Sequence, residues 1–240
     1  PSWDGRFLRR YLKSEPKYDL ISFFILRDPW DSQQVSEREL SLIPFPVERL
    51  FTEELPNFRV IVIQNFTLFQ FLQRRFQYSF VEFVKNGGVL LFIGGPRALQ
   101  KSDLSSSPLG AILPFETDYD EAANLSRFPL GMNLGGRENE IDKDGPYYDG
   151  DLNYKISLAQ PGTVERALAN VFDDWEALSS DLTNLEGLKG LHRMDQVEFK
   201  KDKFTPLLNA TTEQGETVPL AVASYPEKGR ALWLFSDSIW

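Results

Sequence analysis

The stretch "VKNGGVLLFIGGPRAL" (Val84–Leu99) contains the end of a helical pattern, a short apolar run and a glycine turn. Upstream, "RVIVIQ" (Arg59–Gln64) is a second apolar run of strand length. Between the two runs lies an amphipathic pattern that can be capped by Thr67 and that ends at Gly87. Strand, helix and strand in close succession predict a βαβ unit with parallel strands and a right-handed crossover.

Further apolar runs on both sides extend this unit into a larger predicted sheet. Six strands are predicted, near residues 18–26, 59–64, 89–94, 204–210, 218–225 and 230–236. The last two are joined by the short turn "PEKG" and should form an antiparallel hairpin. We therefore expect an α/β fold: a flavodoxin-like, three-layer, doubly wound, mostly parallel sheet with an antiparallel C-terminal hairpin. A single domain should cover residues 1–240, with a loop-rich insertion at about 116–203.

Composition and charge exclude several functions. The net charge of -9 argues against a nucleic-acid partner, because phosphate contacts need clustered Lys and Arg. No run of 18 apolar residues is present, so we expect no membrane insertion by this segment. The absence of cysteine excludes disulfides, thiolate metal ligands and a cysteine nucleophile. The chain starts without Met and ends directly after a strand, which favours a piece of a longer protein.

The glycine turn lies where many α/β enzymes present a catalytic group. In a parallel sheet, ligands and catalytic residues gather beyond the carboxyl ends of the strands. Gly94, Gly95 and Pro96 follow a predicted strand in this way, and small residues suit the strained turn that carries a nucleophile. None of the three has a reactive side chain. The sequence therefore predicts a degenerate nucleophile elbow and no catalytic residue.

Several quoted motifs resemble a known family. "GGVLLFIGGPRAL", preceded by "RVIVIQNF" and followed by "VPLAVASYPEKGRALWLFSDSIW", resembles class I glutamine amidotransferase-like domains, in particular the putative glutamine amidotransferase and ThuA-like branch. The opening "PSWDGRFLRRYLKSEPKYDLISFFILRD" is similar to the form found in bacterial membrane-anchored proteins. The resemblance covers roughly residues 1–115 and 204–240. It implies a periplasmic or extracytoplasmic location, protein partners or neighbouring domains of a longer chain, and a first strand that precedes Pro1.

The resemblance also bears on activity. Amidotransferases carry Cys at the elbow and a His–Glu pair late in the chain, and the Cys position falls on Gly94. The only histidine, His192, is not in a His-x-Glu pair, and we expect it in a surface or hydrogen-bonded loop. Because glutamine hydrolysis by this route needs a thiolate and a base, the resemblance implies a non-catalytic module that binds a partner protein or small ligand. The alternative is a hydrolase of another mechanism, using carboxylates or a bound cation.

Polar residues near the predicted strand ends are candidates for ligand binding. They are Asp4, Arg6, Asn65, Arg97 and Asp237. At one edge of the sheet they would form a polar pocket for a small ligand or for a partner's carboxylate. The alternative is that the acids cap helices and that the arginines are ordinary surface charges.

The acidic stretch "DKDGPYYDGDLN" is the candidate metal site, with oxygen ligands at Asp142, Asp144, Asp149, Asp151 and Asn153. The Asp-x-Asp-x-Asn pattern that starts at Asp149 is similar to a calcium loop, but an EF-hand needs Gly at its sixth position and Glu at its twelfth. This chain has Tyr154 and Gln160 there. We predict no cofactor, with calcium as the one candidate ion and a solvated acidic loop as the alternative.

Overall fold

The structure is a computed structural model that describes residues 3–22, 47–66, 72–96, 98–99, 107–117, 148–159, 175–185, 188–192 and 197–237. Its α-helices are α1 (Trp3–Ser14), α2 (Val47–Arg49), α3 (Arg74–Lys85) and α4 (Trp175–Thr183). Helix α2 continues into a π-helical turn, Leu50–Glu54, and a 3-10 turn, Leu55–Asn57. A further 3-10 turn covers Pro108–Ala111.

The described strands form one mixed main sheet and a separate small pair. The strands are β1 (Val60–Gln64), β2 (Val89–Ile93), β3 (Phe115–Thr117), β4 (Tyr148–Leu158), β5 (Leu188–His192), β6 (Val197–Phe199), β7 (Thr205–Thr212), β8 (Thr217–Ser224) and β9 (Arg230–Leu234). Seven of them form the main sheet in the order β1-β2-β9-β8-β7-β4-β5. Strands β3 and β6 form a separate antiparallel pair.

The βαβ unit is confirmed. Strands β1 and β2 are parallel, and α3 connects them. Helix α3 buries Phe76, Phe80 and Val84, which are four residues apart and so lie on one face. Gly87 follows the helix with φ +114°, as expected of a C-terminal glycine, whereas the predicted cap Thr67 lies outside the described residues.

The prediction of a flavodoxin-like, doubly wound, mostly parallel sheet is wrong. Parallel pairing is limited to β1–β2 and β2–β9, and every other neighbouring pair in the main sheet is antiparallel. The physical reason lies in the connections. Residues 213–216 and 225–229 are tight turns, and turns of that length join antiparallel strands, because a parallel crossover needs a dozen or more residues. The predicted C-terminal hairpin is present as β8 and β9.

Two parts of the chain differ from their predicted local structure. Residues 148–158 and 188–192, which we expected in a loop-rich insertion, form β4 and β5 of the main sheet. For the predicted strand 18–26, residues 18–22 are not a strand, and 23–26 lie outside the described residues. The expectation of one domain over residues 1–240 stays a prediction.

The hydrophobic core packs around three aromatic side chains close to the carboxyl ends of the parallel strands. Phe115 meets Trp233 and Phe235 edge-on, at ring-centroid distances of 5.5 and 5.6 Å. Phe115 and Phe235 are completely buried. Edge-to-face aromatic pairs add to the stabilisation that burial gives. This packing holds the residues that follow β9 in fixed positions next to the glycine turn.

Candidate functional site

The carboxyl ends of β1, β2 and β9 lie side by side and carry the glycine turn. The Asn65 N–H donates to the carbonyl of Ile93 (2.9 Å), and the Gly94 N–H donates to the carbonyl of Leu234 (2.7 Å). Asn65 (φ 44°) and Gly95 (φ 132°) both adopt left-handed backbone conformations. A Cβ added at Gly95 would lie only 2.7 Å from Cγ and Oδ1 of Asn65. The turn is therefore built closely around the Asn65 side chain.

His192 completes this turn from the other side. It is the last residue of β5 and is 1% exposed. Its Nε2 accepts a hydrogen bond from the Gly95 N–H (3.1 Å), and its own backbone N–H donates to the carbonyl of Phe235 (3.0 Å). Because Nε2 is an acceptor here, it carries no proton. A Cβ added at Gly94 would lie 2.7 Å from His192 Cδ2 and Nε2, so the imidazole fills the space beside the turn.

This arrangement determines what the turn can do chemically. A side chain at position 94, where an elbow would present its nucleophile, would overlap the His192 ring. In a nucleophile elbow the N–H of the residue after the nucleophile helps to form the oxyanion hole. That group is the Gly95 N–H, and it is bonded to His192. The imidazole therefore fills the space that a nucleophile would need, and it also binds one of the N–H groups that would stabilise an oxyanion.

Tyr148 and Asp237 lie next to His192. The Tyr148 hydroxyl donates to Oδ1 of Asp237, and the Tyr148 ring is 5.1 Å from the His192 ring at an interplanar angle of 75°. Burial, and then the hydrogen bond to Asp237, raise the pKa of Tyr148 far above its usual value. Gly190 (φ +84°) leaves the space for the Tyr148 hydroxyl, which a Cβ at that position would strike. Tyr148 thus links the histidine to the carboxylate as a neutral phenol.

A second tyrosine of β4 is bound to the residue before Asp237. The Ser236 hydroxyl donates to the carbonyl of Gly190 (2.6 Å), so its contact with the Tyr154 hydroxyl (2.7 Å) must be a hydrogen bond donated by Tyr154. Burial raises the pKa of Tyr154 to about 12, with a further increase from the charge of Asp237 and an opposing decrease from the Ser236 hydrogen bond. The two tyrosines hold β4 against the residues that follow β9.

The pKa shifts predict alkaline behaviour. Unfolded tyrosine has a pKa of about 10, and both folded pKa values are higher, so the two phenols contribute stability that is fully present below pH ~10. The contribution of Tyr154 falls as pH rises from there and is lost above about pH 12, and that of Tyr148 continues to fall at higher pH. The absorbance of tyrosinate near pH ~11 measures how many tyrosines ionise. In the native state, the Tyr148→Phe/Tyr154→Phe double variant should give the same tyrosinate signal as the wild type, and only in denaturant should its signal be smaller. A loss of native amplitude in the double variant would contradict the buried network.

The candidate ligand-binding residues are partly brought together. Asn65 packs at the glycine turn, and Asp237 reaches the same edge through its bond with Tyr148. Asp4 lies in the first turn of α1, and Arg6 is exposed on the same helix. Arg97 lies outside the described residues. A pocket shared by all five stays a prediction.

The candidate calcium ligands lie on a strand. Asp149 Oδ1 accepts hydrogen bonds from the backbone N–H groups of Asp151 and Leu152 (3.1 Å each), and Asn153 Nδ2 donates to Glu213 Oε1 (2.7 Å). In the part of the chain that the structure describes, no group of three or more His, Asp or Glu side chains is placed to hold a metal ion. Asp142 and Asp144 lie outside that part.

Sequence reasoning missed the side chains that close the site. We expected His192 in a surface or hydrogen-bonded loop. It is hydrogen-bonded, but it is buried and lies on a strand, so the expected location was wrong. Tyr148, Tyr154 and Ser236 were not candidates. The available signal was the strand alternation at the end of β4, where Tyr154 and Ile156 are buried and Lys155 is exposed.

Comparisons with known proteins find similar solved structures and no family. No family model and no curated protein matches the chain. Two solved structures of cytoplasmic proteins from Salmonella typhimurium are 20% and 19% identical to it, each with a TM-score of 0.47 and with 81% of this chain covered. The chain spans 65% of the length of those proteins. A β-galactosidase from Rahnella sp. R3 is 10% identical with a TM-score of 0.41, over 76% of this chain and 21% of the enzyme. These likenesses carry no argument about function.

The periplasmic, membrane-anchored location expected from the resemblance stays a prediction. The two Salmonella proteins are themselves described as cytoplasmic. Among the helices of the described residues, none has both the length and the apolar composition needed to cross a bilayer.

Proposed function

We propose that this chain is a non-catalytic, amidotransferase-like module that binds a partner protein or a small ligand at the edge where β1, β2 and β9 end. The observation that carries this proposal is the position of His192, whose imidazole lies against Gly94 and accepts the Gly95 N–H. The module keeps the glycine turn of such domains, and the residues beside the turn leave no room for a nucleophile.

Three requirements of a cysteine hydrolase are unmet at this turn. The chain contains no cysteine to form a thiolate. The imidazole nitrogen nearest the turn, Nε2, is engaged with the backbone and is not directed at a side chain that it could deprotonate. The Gly95 N–H, which would stabilise an oxyanion, is the partner of that nitrogen.

The alternative hydrolase would draw on Asp237 and His192, and the structure does link these two residues through Tyr148. Burial argues against a catalytic role for the link. Tyr148 is 3% exposed and His192 is 1% exposed, whereas a general base must be within hydrogen-bond reach of its substrate. We therefore favour binding over hydrolysis.

The edge has the properties of a preformed binding surface. His192, Tyr148 and Ser236 are buried polar groups with hydrogen-bond partners, and such satisfied networks hold one arrangement rigidly. Asn65 is held in a left-handed conformation, and residues held in such rare conformations cluster at functional sites. A rigid edge binds with a small loss of conformational entropy.

Glutamine and ester hydrolysis assays test the non-catalytic half of the proposal. The wild-type protein should release no ammonia from glutamine and should not hydrolyse a p-nitrophenyl ester. Gly94→Cys should remain inactive because the new side chain would overlap His192. Hydrolysis by the wild type that His192→Gln abolishes would contradict the proposal and revive the hydrolase alternative.

A thermal-shift screen against small metabolites tests the binding half. A ligand at about a hundred times its dissociation constant stabilises by roughly 2.7 kcal/mol, a shift of a few degrees. Asn65→Gly should remove that shift, since glycine tolerates the left-handed backbone and loses only the side chain. Asn209→Gly, on β7, is the matched control and should keep the shift. Equal loss in both variants would place the ligand elsewhere.

A further inference from the structure

Helix α1 presents an aromatic and basic surface to solvent. Phe7, Arg10 and Tyr11 are spaced three and four residues apart and lie next to one another on the helix, and Arg6 and Lys13 lie beside Arg10. Phe7 is 55% exposed and Tyr11 is 64% exposed. We call these five residues the aromatic–basic face.

The opposite side of α1 fixes the orientation of this face. Leu8 is 9% exposed and belongs to the hydrophobic core, and Leu12 packs against the same core. Of the eight large apolar side chains that are exposed in the described part of the chain, four lie in or just after this helix: Phe7, Tyr11, Tyr18 and Ile21. Phe7 and Tyr11 are neighbours on the helix, and adjacent exposed apolar side chains mark an interaction site more often than singly scattered ones do.

The charge of this region is opposite to that of the protein. Between residues 3 and 17 the chain carries five Lys and Arg and only two acids, Asp4 and Glu15, although the net charge of the protein is -9. Among the described residues, no ion pair involves Arg10 or Lys13. Positive potential at α1 therefore is not cancelled by ion pairs of these two side chains.

We propose that the aromatic–basic face is the docking surface for an acidic segment of a partner protein, one in which Asp or Glu alternates with apolar side chains. Aromatic residues and Arg are enriched at the centres of protein interfaces, where they contribute much of the binding energy. Complementary charge gives such a contact its specificity and its association rate. This proposal does not rest on the proposed binding at the glycine turn, and either can hold without the other.

A protein segment fits this surface better than a lipid bilayer does. A helix that lies in a membrane interface inserts a broad apolar face. The leucines of α1 are already packed against the core, and Phe7 and Tyr11 stand among cations on the outside. An acidic peptide can pair with those cations while its apolar side chains cover the two rings.

Fluorescence anisotropy with the whole chain and a labelled peptide of alternating Glu and Leu tests the proposal. We expect saturable binding that weakens as salt is added. Arg10→Glu/Lys13→Glu and Phe7→Ser/Tyr11→Ser should each weaken it at least about tenfold. Lys201→Glu/Lys203→Glu reverses two exposed charges in the turn before β7 and is the matched control, which should bind like the wild type.

Several outcomes would overturn the proposal. They are no binding at millimolar protein, equal binding of a Lys–Leu peptide, or equal weakening in the control variant. Two further measurements address other occupants. Sedimentation with vesicles of phosphatidylcholine and phosphatidylserine that depends on the same residues would assign the face to a membrane. A concentration-dependent dimer that Phe7→Ser/Tyr11→Ser dissolves would assign it to a second copy.

Discussion

Replacing Gly229 by alanine should cost more than about 3 kcal/mol of unfolding free energy or prevent folding. Gly229 lies in the turn between β8 and β9, where the backbone passes the end of α3. A Cβ there would strike the carbonyl oxygen of Val84 and would lie 2.7 Å from the Val84 carbonyl carbon and 2.9 Å from the carbonyl oxygen of Gly88. These obstacles are all backbone atoms, so a change of side-chain rotamer cannot relieve the overlap.

Hydrogen bonds hold the two backbones at this distance. The N–H of Lys228 donates to the carbonyl of Lys85 (3.2 Å), and that of Arg230 donates to the carbonyl of Gly88 (3.3 Å). Separating the turn from the helix end would break these bonds as well. The salt bridge between Lys85 and Glu227 (3.0 Å) is partly exposed and should add little.

Gly215→Ala is the matched control for Gly229→Ala. Gly215 lies in the turn between β7 and β8, has φ +81°, and has no atom within 4 Å of an added Cβ. Its replacement should cost only the roughly 1–2 kcal/mol of a left-handed alanine. Urea unfolding followed by tryptophan fluorescence measures both variants. If Gly229→Ala and Gly215→Ala lower the unfolding free energy equally, the turn does not approach α3 as closely as described.

The parallel half of the sheet was predictable, because its sequence is unambiguous. Strands β1 and β2 are continuous apolar runs, and the pattern of α3 between them has the helical period. The antiparallel half was harder. Strand β4, "YDGDLNYKISL", is half exposed, and its Asp, Gly and Asn residues are those of a polar loop. Because this stretch was predicted to be a loop, β4 and β5 were missing from the predicted sheet. The remaining predicted strands fitted a doubly wound topology.

The candidate site divides in the same way. Asn65, Gly94 and Asp237 were identified because each follows a strand, and strands that run in one direction end at one edge. His192 reaches Gly95 from 97 residues away in the chain. Its position depends on the pairing of β5 with β4, in which Tyr148 is opposite His192. No local pattern encodes that pairing, so sequence reasoning could not place the imidazole at the turn.

The contact between His192 and the glycine turn can be measured by a double-mutant cycle. Gly94→Ala in the wild-type protein should cost about 1–3 kcal/mol, because its methyl group would overlap the imidazole at 2.7 Å. His192→Ala should also destabilise, since it leaves the Gly95 N–H buried without its acceptor. In the His192→Ala background, the cost of Gly94→Ala should fall by at least ~1 kcal/mol. Some cost should remain, because the carbonyl oxygen of Leu234 lies 3.0 Å from the added atom.

Urea unfolding of the four proteins gives the coupling energy, and Gly94→Ala combined with Tyr78→Ala is the control. Tyr78 is exposed on α3, and its effect should be additive with that of Gly94→Ala within about 0.5 kcal/mol. If the Gly94–His192 pair were equally additive, the imidazole would not fill the space beside the turn. A nucleophile could then be accommodated there, and the non-catalytic proposal would lose the observation on which it depends. Strong coupling would instead locate the histidine where a catalytic side chain would have to stand.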